Sequence, residues 1–158
     1  MQRFSMEIRV TYKDTDQMGY VYYGNFFTWF EMARTEYFRS RGVIYKNLEA
    51  EGYYLPVHEA RCEYHVPVRY DDIVKVKTFI TKIGRTSLTF GYQITKDDSA
   101  SSLATGLTIH CFTNKAGRPV KIPEIIRKII HVDPSTRSLH LPKVSRSGFR
   151  PNIGGGSS

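Results

Sequence analysis

The sequence predicts an α+β fold in which one long apolar helix is covered by a five-stranded antiparallel sheet. Two observations predict it. A wide stripe of aromatic residues recurs at helical spacing early in the chain, and apolar and polar residues alternate in one segment before it and four segments after it. The connections between the later segments are short, which favours antiparallel neighbours. A curved sheet is the simplest partner for a helix with so wide a stripe.

The first predicted strand precedes the helix. A period of two, typical of a half-buried strand, runs from residue 4 to residue 13. The helix itself is predicted over about residues 23–41. Its apolar stripe consists of Phe26, Phe30, Ala33 and Tyr37, widened by Phe27, Trp29 and Phe38. Gly42 is expected to end it, because glycine readily adopts the left-handed backbone that follows a last helical turn.

The remaining elements are short. A second helix is predicted over residues 45–51, ended by Gly52, and a last one after Pro123. Four more strands are predicted within residues 55–68, 73–83, 88–95 and 107–112, with turn-forming residues at 70–72, 83–85 and 97–99.

The chain of 158 residues is long enough for one domain with its own core. We assign residues 1–131 to this domain. From Val132 the pattern gives way to Pro, Ser, Arg and Gly, so residues 132–158 are predicted to form a basic, flexible tail.

Composition narrows the function classes. The formal net charge of +8 suits polyanionic partners, including nucleic acid, anionic lipid and the phosphates of coenzyme A. A nucleic-acid module is disfavoured, because the aromatic residues lie in a buried helix rather than on a single-strand platform. Cys62 and Cys111 form no disulfide framework, and no residue spacing indicates a metal site. We find no membrane span or signal peptide and therefore expect a cytoplasmic protein.

The most informative segment joins the first strand to the long helix. It contains two carboxylates, Asp14 and Asp16, followed by Gly19. The first N–H groups of a helix are unpaired, so they can hold an oxyanion while a nearby carboxylate attacks a carbonyl or activates water. The alternative is that both Asp residues only form the turn and cap the helix.

The run Asp14-Thr15-Asp16-Gln17-Met18-Gly19-Tyr20-Val21-Tyr22-Tyr23-Gly24-Asn25, together with Phe30-Glu31-Met32-Ala33-Arg34-Thr35-Glu36, resembles the hotdog-fold acyl-CoA thioesterases. More narrowly, it is similar to the 4-hydroxybenzoyl-CoA thioesterase and YbgC-type branch. The resemblance covers roughly the first 130 residues. It implies the hotdog fold, an acyl-CoA substrate, no metal or other cofactor, and a homodimer or homotetramer with its sites between subunits.

The resemblance also implies roles for individual residues. Asp16 would be the nucleophile or general base, and the backbone N–H of Tyr23, helped by that of Gly24, would bind the oxyanion. Gly19 would form the tight turn. Apart from the resemblance, Tyr22 is one of several aromatic residues near Asp16 that could form the wall of an acyl pocket, with the core or a dimer interface as the alternative, and His58 could line the pocket or be structural. Many relatives carry His at the position of Tyr23, so a mechanism assisted by that imidazole is in doubt here.

Three hydrophilic residues after Gly84, namely Arg85, Thr86 and Ser87, stand where relatives contact the phosphates of coenzyme A. Arginine can hold phosphate through two hydrogen bonds. The alternative is an ordinary solvated hairpin corner. Asp14 is expected to order the loop, and Glu31 and Glu36 are fallback nucleophiles.

Two other functions remain open at this point. One is a non-catalytic hotdog protein that binds acyl-CoA or acyl carrier protein. The other is a dehydratase for hydroxyacyl thioesters, an activity that uses His with an acidic partner, although the opening motif contains no His.

Overall fold

The structure, a computed structural model, describes residues 3–97 and 101–143. The strands are β1 (Arg3–Arg9), β2 (Val57–Tyr64), β3 (Ile73–Ile83), β4 (Ser87–Lys96) and β5 (Ser102–Cys111). The α-helices are α1 (Asn25–Arg39), α2 (Tyr45–Ala50) and α3 (Glu124–Arg127), and two 3-10 turns span Tyr12–Asp14 and Pro134–Ser138. This is the predicted α+β arrangement of one main helix and five strands.

All five strands belong to one antiparallel sheet with the order β1–β3–β4–β5–β2. The pairs β3–β4 and β4–β5 are hairpins, as the short connections predicted. For β2 and β3 that expectation is wrong, because β2 lies at the opposite edge and pairs with β5. The connection between them instead runs past the start of α1, where the Val21 N–H donates to the Val68 carbonyl at 2.7 Å.

Helix α1 buries the stripe that the sequence predicted. The buried residues are Phe26, Trp29, Phe30, Ala33, Tyr37 and Phe38. The Phe30 ring stacks on that of Tyr92 in β4, with ring centroids 4.2 Å apart. The helix is shorter than predicted at both ends. Gly42 has the expected left-handed backbone, with a φ of 82°.

Strand β1 ends earlier than the alternation predicted, at Arg9 rather than Lys13. The reason is Asp14, whose Oδ2 accepts hydrogen bonds from the Thr11 N–H at 2.9 Å and the Thr11 hydroxyl at 2.8 Å. These bonds close a 3-10 turn in place of further strand. Strand β5 begins earlier than predicted. Part of the predicted turn at 97–99 lies outside the described residues.

The packed part of the chain extends beyond residue 131, where the sequence predicted the tail to begin. Val132 pairs with Ile80, and the Asp133 N–H donates to the Ile80 carbonyl at 3.1 Å. The buried Asp133 carboxylate forms an ion pair with Arg3 at 2.6 Å. Residues 132–138 are therefore tied to the edge of the sheet. The later part of the predicted tail, residues 144–158, lies outside the described residues.

Within the described residues, none of the helices is both long and apolar enough to cross a membrane. The same ranges contain no cluster of three or more His, Cys, Asp or Glu residues that could hold a metal ion.

Candidate active site

The loop before α1 folds back on itself and brings Asp16 close to the start of the helix. The Asp16 N–H donates to the Tyr20 carbonyl at 2.8 Å, and the Tyr22 N–H donates to the Asp14 carbonyl at 2.8 Å. Gly19 forms the reversal with a φ of 77°. A β-carbon at Gly19 would meet no atom within 4 Å, so the backbone conformation, and not lack of space, favours glycine there.

The Asp16 carboxylate is oriented through one of its oxygens. Oδ1 accepts hydrogen bonds from the N–H groups of Met18 at 2.9 Å and Tyr20 at 3.2 Å. Among the described residues, Oδ2 has no hydrogen-bond partner. The side chain therefore orders the turn, as one alternative predicted, but it does not cap α1. Its second oxygen is left for substrate or water.

In the part of the chain that the structure describes, no side chain caps the start of α1. Gly24 occupies the N-cap position with helical backbone angles, and the Asn25 N–H donates back to the Tyr22 carbonyl at 2.9 Å. Within the described part of the chain, the N–H groups of Tyr23 and Gly24 have no acceptor. Unpaired N–H groups at a helix start carry partial positive charge and attract anions.

Two side-chain hydrogen bonds hold this loop in place. Both come from residues that the sequence analysis did not name as site residues, Asn25 and Tyr64. The Asn25 Nδ2 donates to the Asp14 carbonyl at 2.8 Å, which ties the helix start to the turn. The Tyr64 hydroxyl donates to the Tyr23 carbonyl at 2.9 Å from the end of β2. Asp14 orders the loop through Thr11, as expected.

A cavity of about 370 Å³ lies between this loop and the chain that leaves β2. Its wall is mostly apolar and aromatic and includes Asp16, Met18, Tyr20, Val21, Tyr23, Phe26, Tyr64, His65, Val66, Pro67 and Val68. Asp16 is the only carboxylate among these residues. His65 is the only imidazole among them, and its Nε2 lies 3.2 Å from the Thr105 hydroxyl. The cavity is thus a mainly apolar space with one carboxylate in its wall.

The structure brings Asp16 and Tyr23 to one cavity, with Gly19 shaping the turn beside it. Tyr22 and Gly24 flank Tyr23 but are not in the wall; the Tyr22 ring lies 4.6 Å from that of Tyr23. Glu31 and Glu36 line a different groove, beside Met6. The fallback nucleophiles therefore do not face Asp16.

The other predicted residues lie at the far end of the sheet. Tyr64, in the cavity wall, pairs with Ala104 near the start of β5, whereas Val57 and Ser87 pair with residues at its end. His58, Arg85, Thr86 and Ser87 therefore stand roughly 20 Å from the cavity, at about 3.4 Å per strand residue. Within one chain they do not reach Asp16.

Sequence reasoning missed the second wall of the cavity. Tyr64 is the last residue of β2 and residues 65–68 follow it, with Pro67 among them as a sign only that the strand has ended. No spacing in the sequence relates them to Asp16, which precedes them by some fifty positions. Their contact with the loop depends on the Val21 to Val68 hydrogen bond and on the packing of Tyr64.

A family model described as the thioesterase superfamily matches residues 18–102, more than half of the chain. The chain belongs to the thioesterase superfamily. Its curated relatives include the acyl-CoA thioester hydrolase YbgC of Escherichia coli, 31% identical over 78% of this chain and 92% of that protein. The putative acyl-CoA thioesterase YneP of Bacillus subtilis is 30% identical over 73% of this chain and 83% of that protein.

Solved structures of this superfamily share the fold. A hypothetical protein from Aquifex aeolicus matches with a TM-score of 0.77 and 33% identity, over 81% of this chain and 99% of that one. A DHNA-CoA thioesterase from Staphylococcus aureus matches with a TM-score of 0.72 and 32% identity, over 77% of this chain and 81% of that one. These matches confirm the hotdog fold, the family and the enzyme class, thioester hydrolase, that the sequence predicted.

Proposed function

We propose that this protein hydrolyses acyl-CoA thioesters to a free acid and coenzyme A. One observation carries the proposal: Asp16 and Tyr23 lie in the wall of one largely apolar cavity, and within the described residues an Asp16 oxygen and the Tyr23 N–H have no partner, as does the adjacent Gly24 N–H. The names of the curated relatives YbgC and YneP, both acyl-CoA thioesterases, support the substrate class.

The reaction needs a carboxylate and a site for negative charge. The thioester carbonyl oxygen binds the N–H groups of Tyr23 and Gly24, which stabilise the oxyanion as it forms. Asp16 either attacks the carbonyl carbon, giving a mixed anhydride that water then cleaves, or removes a proton from the attacking water. In both routes the carbon–sulfur bond breaks and the thiolate of coenzyme A leaves. The low polarity of the wall strengthens these charge interactions.

The nucleophilic route has one labelling outcome that activation of water cannot produce. A single turnover in ¹⁸O-water puts the label directly into the product acid if Asp16 activates water. If Asp16 attacks and water then cleaves the anhydride at the Asp16 carbonyl, the label enters the Asp16 side chain. Label in the Asp16 peptide, read by mass spectrometry, therefore identifies the nucleophilic route. Label in the released acid alone fits both activation of water and cleavage of the anhydride at the acyl carbon.

We also propose a homodimer in which β2 pairs with β2 of a second copy. Strand β2 is an edge of the sheet, and exposed edges favour pairing. Large apolar side chains at its end, among them Tyr64 at 46% exposure and Val66 at 49%, are left in solvent by one chain. Antiparallel pairing would place the His58 end of one copy beside the Tyr64 end of the other.

The same pairing would bring the Arg85 turn of the second copy towards the cavity of the first. Three strand spacings of about 4.8 Å would then separate them, instead of the length of a strand. This would let Arg85, Thr86 and Ser87 contact the phosphates of coenzyme A across the interface. Light scattering should give twice the chain mass, and a monomeric mass at micromolar concentration would contradict the dimer.

The function is tested by thiol release from a panel of aryl-, short- and long-chain acyl-CoAs. We expect the wild type to release thiol and Asp16→Asn to lose at least about a thousandfold in kcat, because Asn can neither attack nor accept the proton. Asp97→Asn is the matched control, since Asp97 is an exposed turn residue outside the cavity wall.

Full turnover by Asp16→Asn would contradict the role of Asp16. Tight binding of acyl-CoA without thiol release would indicate the non-catalytic binding protein. Hydration of an enoyl-CoA without thiol release would indicate the dehydratase, for which His65 in the same wall is the imidazole the opening motif lacks.

A further inference from the structure

We infer that Tyr64 is a positioning residue for this hydrolysis: its hydroxyl holds and polarises the peptide group whose N–H, that of Gly24, binds the oxyanion. This role depends on the proposed function, because it concerns the hydrolysis of an acyl-CoA thioester. The contact itself is a feature of the fold, because the Tyr64 hydroxyl donates to the Tyr23 carbonyl at 2.9 Å.

The Tyr23 carbonyl and the Gly24 N–H belong to the same peptide group. A hydrogen bond accepted by the carbonyl polarises the whole group and makes its N–H a stronger donor, by about 10–30%. The Gly24 N–H is one of the two without an acceptor among the described residues. Tyr64 therefore acts on the peptide that joins Tyr23, a residue of the cavity wall, to the unpaired Gly24 N–H.

The other unpaired N–H, that of Tyr23, is polarised in the same way by a local bond. Its peptide carbonyl, that of Tyr22, accepts from the Asn25 N–H at 2.9 Å. Any helix start can provide such a bond. The Gly24 peptide differs because its side-chain donor comes from another element, at the end of β2, 41 residues along the chain.

The hydrogen bond from Tyr64 stabilises the start of α1, whose own first turn is weakly held. Gly24 at the N-cap has no side chain with which to cap the first turn, and the first-turn bond from the Phe26 N–H to the Tyr23 carbonyl is long, at 3.3 Å. Uncapped helix ends fray. Tyr64 connects this turn to the sheet and so limits the positions that the two N–H groups can take.

The Tyr64 ring is held independently of its hydroxyl. Its centroid lies 5.0 Å from that of Phe26 and 6.4 Å from that of Tyr23, both in edge-to-face geometry. Burial, with the neighbouring Cys62 thiol, raises the pKa of Tyr64 above its usual range, so the hydroxyl keeps its proton and remains a donor. Tyr64→Phe should therefore remove the hydrogen bond while the ring packing stays.

The experiment compares wild type, Tyr64→Phe and the control Tyr12→Phe in steady-state thiol release and in ¹H–¹⁵N spectra. Tyr12 is exposed and stacks on Tyr70 outside the cavity wall. Loss of a whole oxyanion donor costs about 10²–10³ in kcat. We expect Tyr64→Phe, which weakens one donor, to lower kcat about tenfold with KM changed less than about twofold, and the Gly24 amide proton to move upfield. Tyr12→Phe should change neither.

Tyr64→Phe with wild-type kcat, or with a raised KM alone, would overturn the role. So would a lower kcat with an unmoved Gly24 amide proton, because the effect would then not pass through that peptide. A variant that only lowers the urea midpoint of unfolding would show a merely structural contact. If the wild type releases no thiol from any acyl-CoA, the proposed function fails and this role with it. If the wild type is active and Asp16→Asn is not, a fully active Tyr64→Phe refutes the role of Tyr64 alone.

Discussion

Gly106 of β5 lies directly against the ring of Phe30 of α1. A β-carbon at Gly106 would overlap the edge of that ring and would also come within 3.0 Å of the Arg61 carbonyl oxygen. The same ring stacks on Tyr92, which pairs with Gly106 across β4 and β5. Because a glycine faces the helix here, α1 can approach the sheet closely at Phe30.

Gly106→Ala should therefore destabilise the protein. Adding a methyl group to a packed core typically costs about 1–3 kcal/mol, since the neighbouring ring must move. Urea unfolding of wild type and variant measures the difference in the free energy of unfolding. Gly52→Ala is the control: Gly52 has a φ of 89° but nothing within 4 Å of an added β-carbon, so only backbone strain is introduced.

A double-mutant cycle separates overlap with Phe30 from other effects. If the ring is the obstacle, Phe30→Leu and Gly106→Ala together should cost less than the sum of the single changes. Strictly additive values would show that the Phe30 ring is not what excludes a side chain at position 106.

Asn25→Ala should lower kcat for thiol release and should also lower the free energy of unfolding by a small amount. The Asn25 amide donates to the Asp14 carbonyl at 2.8 Å, so it ties the turn that holds Asp16 to the first residue of α1. One such bond contributes about 1 kcal/mol to stability. We expect kcat for thiol release to fall about fivefold to tenfold, because Asp16 and the helix N–H groups are then less well aligned.

Thr28→Ala is the comparison for Asn25→Ala, since Thr28 is exposed on the same helix and outside the cavity wall. Unchanged kcat in Asn25→Ala, with a loss of stability alone, would show that the bond supports the helix and not the alignment of Asp16.

A series of hydrogen bonds between buried side chains links β4 and β5. His110 Nδ1 lies 3.3 Å from the Leu55 carbonyl, so Nδ1 carries the proton, and Nε2 accepts from the Thr108 hydroxyl at 2.7 Å. The Tyr92 hydroxyl completes the chain at 2.6 Å from that of Thr108. Burial lowers the pKa of His110 to about 3, and the positive charge of Arg34 on α1 and the nearby His58 act in the same direction.

This depressed pKa makes stability depend on pH. A His in the unfolded chain binds a proton below about pH 6.5, whereas native His110 stays neutral down to about pH 3. Over that range the unfolded state binds more protons, so His110 makes the protein lose stability as the pH falls, by up to about 1.4 kcal/mol per pH unit. Urea unfolding at pH 7, 6 and 5 measures the slope.

His110→Gln keeps a polar side chain but does not titrate, so its free energy of unfolding should fall less steeply between pH 7 and 5 than that of the wild type. Replacing the exposed His140 by Gln should leave the slope unchanged. Parallel curves for the wild type and His110→Gln would contradict the assignment of this pH dependence to His110.

Local patterns in the sequence predicted much of this fold. The aromatic stripe of α1 and the alternation at the start of β3 reflect which side of each element is buried, so neighbouring residues are enough to predict it. Strand β4 is buried on both faces, which its alternation does not indicate. The end of β1 was predicted too late, because a side-chain bond from Asp14 competes with strand backbone in a way that periodicity does not register.

The candidate site was predictable only where it is local in sequence. Asp16, Gly19 and Tyr23 lie within one turn and were identified together. The opposite wall, from Tyr64 to Val68, was not, because β2 reaches the loop only through the sheet order that places it at an edge.

The amino-acid sequence by itself determined the elements, their buried faces, the family and the carboxylate at position 16, since each depends on short-range pattern or on a continuous motif. Only the tertiary structure decided that Tyr64 bonds the Tyr23 carbonyl, that one Asp16 oxygen has no partner among the residues described, and that Arg85 stands at the far end of the sheet. These relationships depend on which strands pair and which ends meet. Packing across many residues settles that choice, and no single segment encodes it.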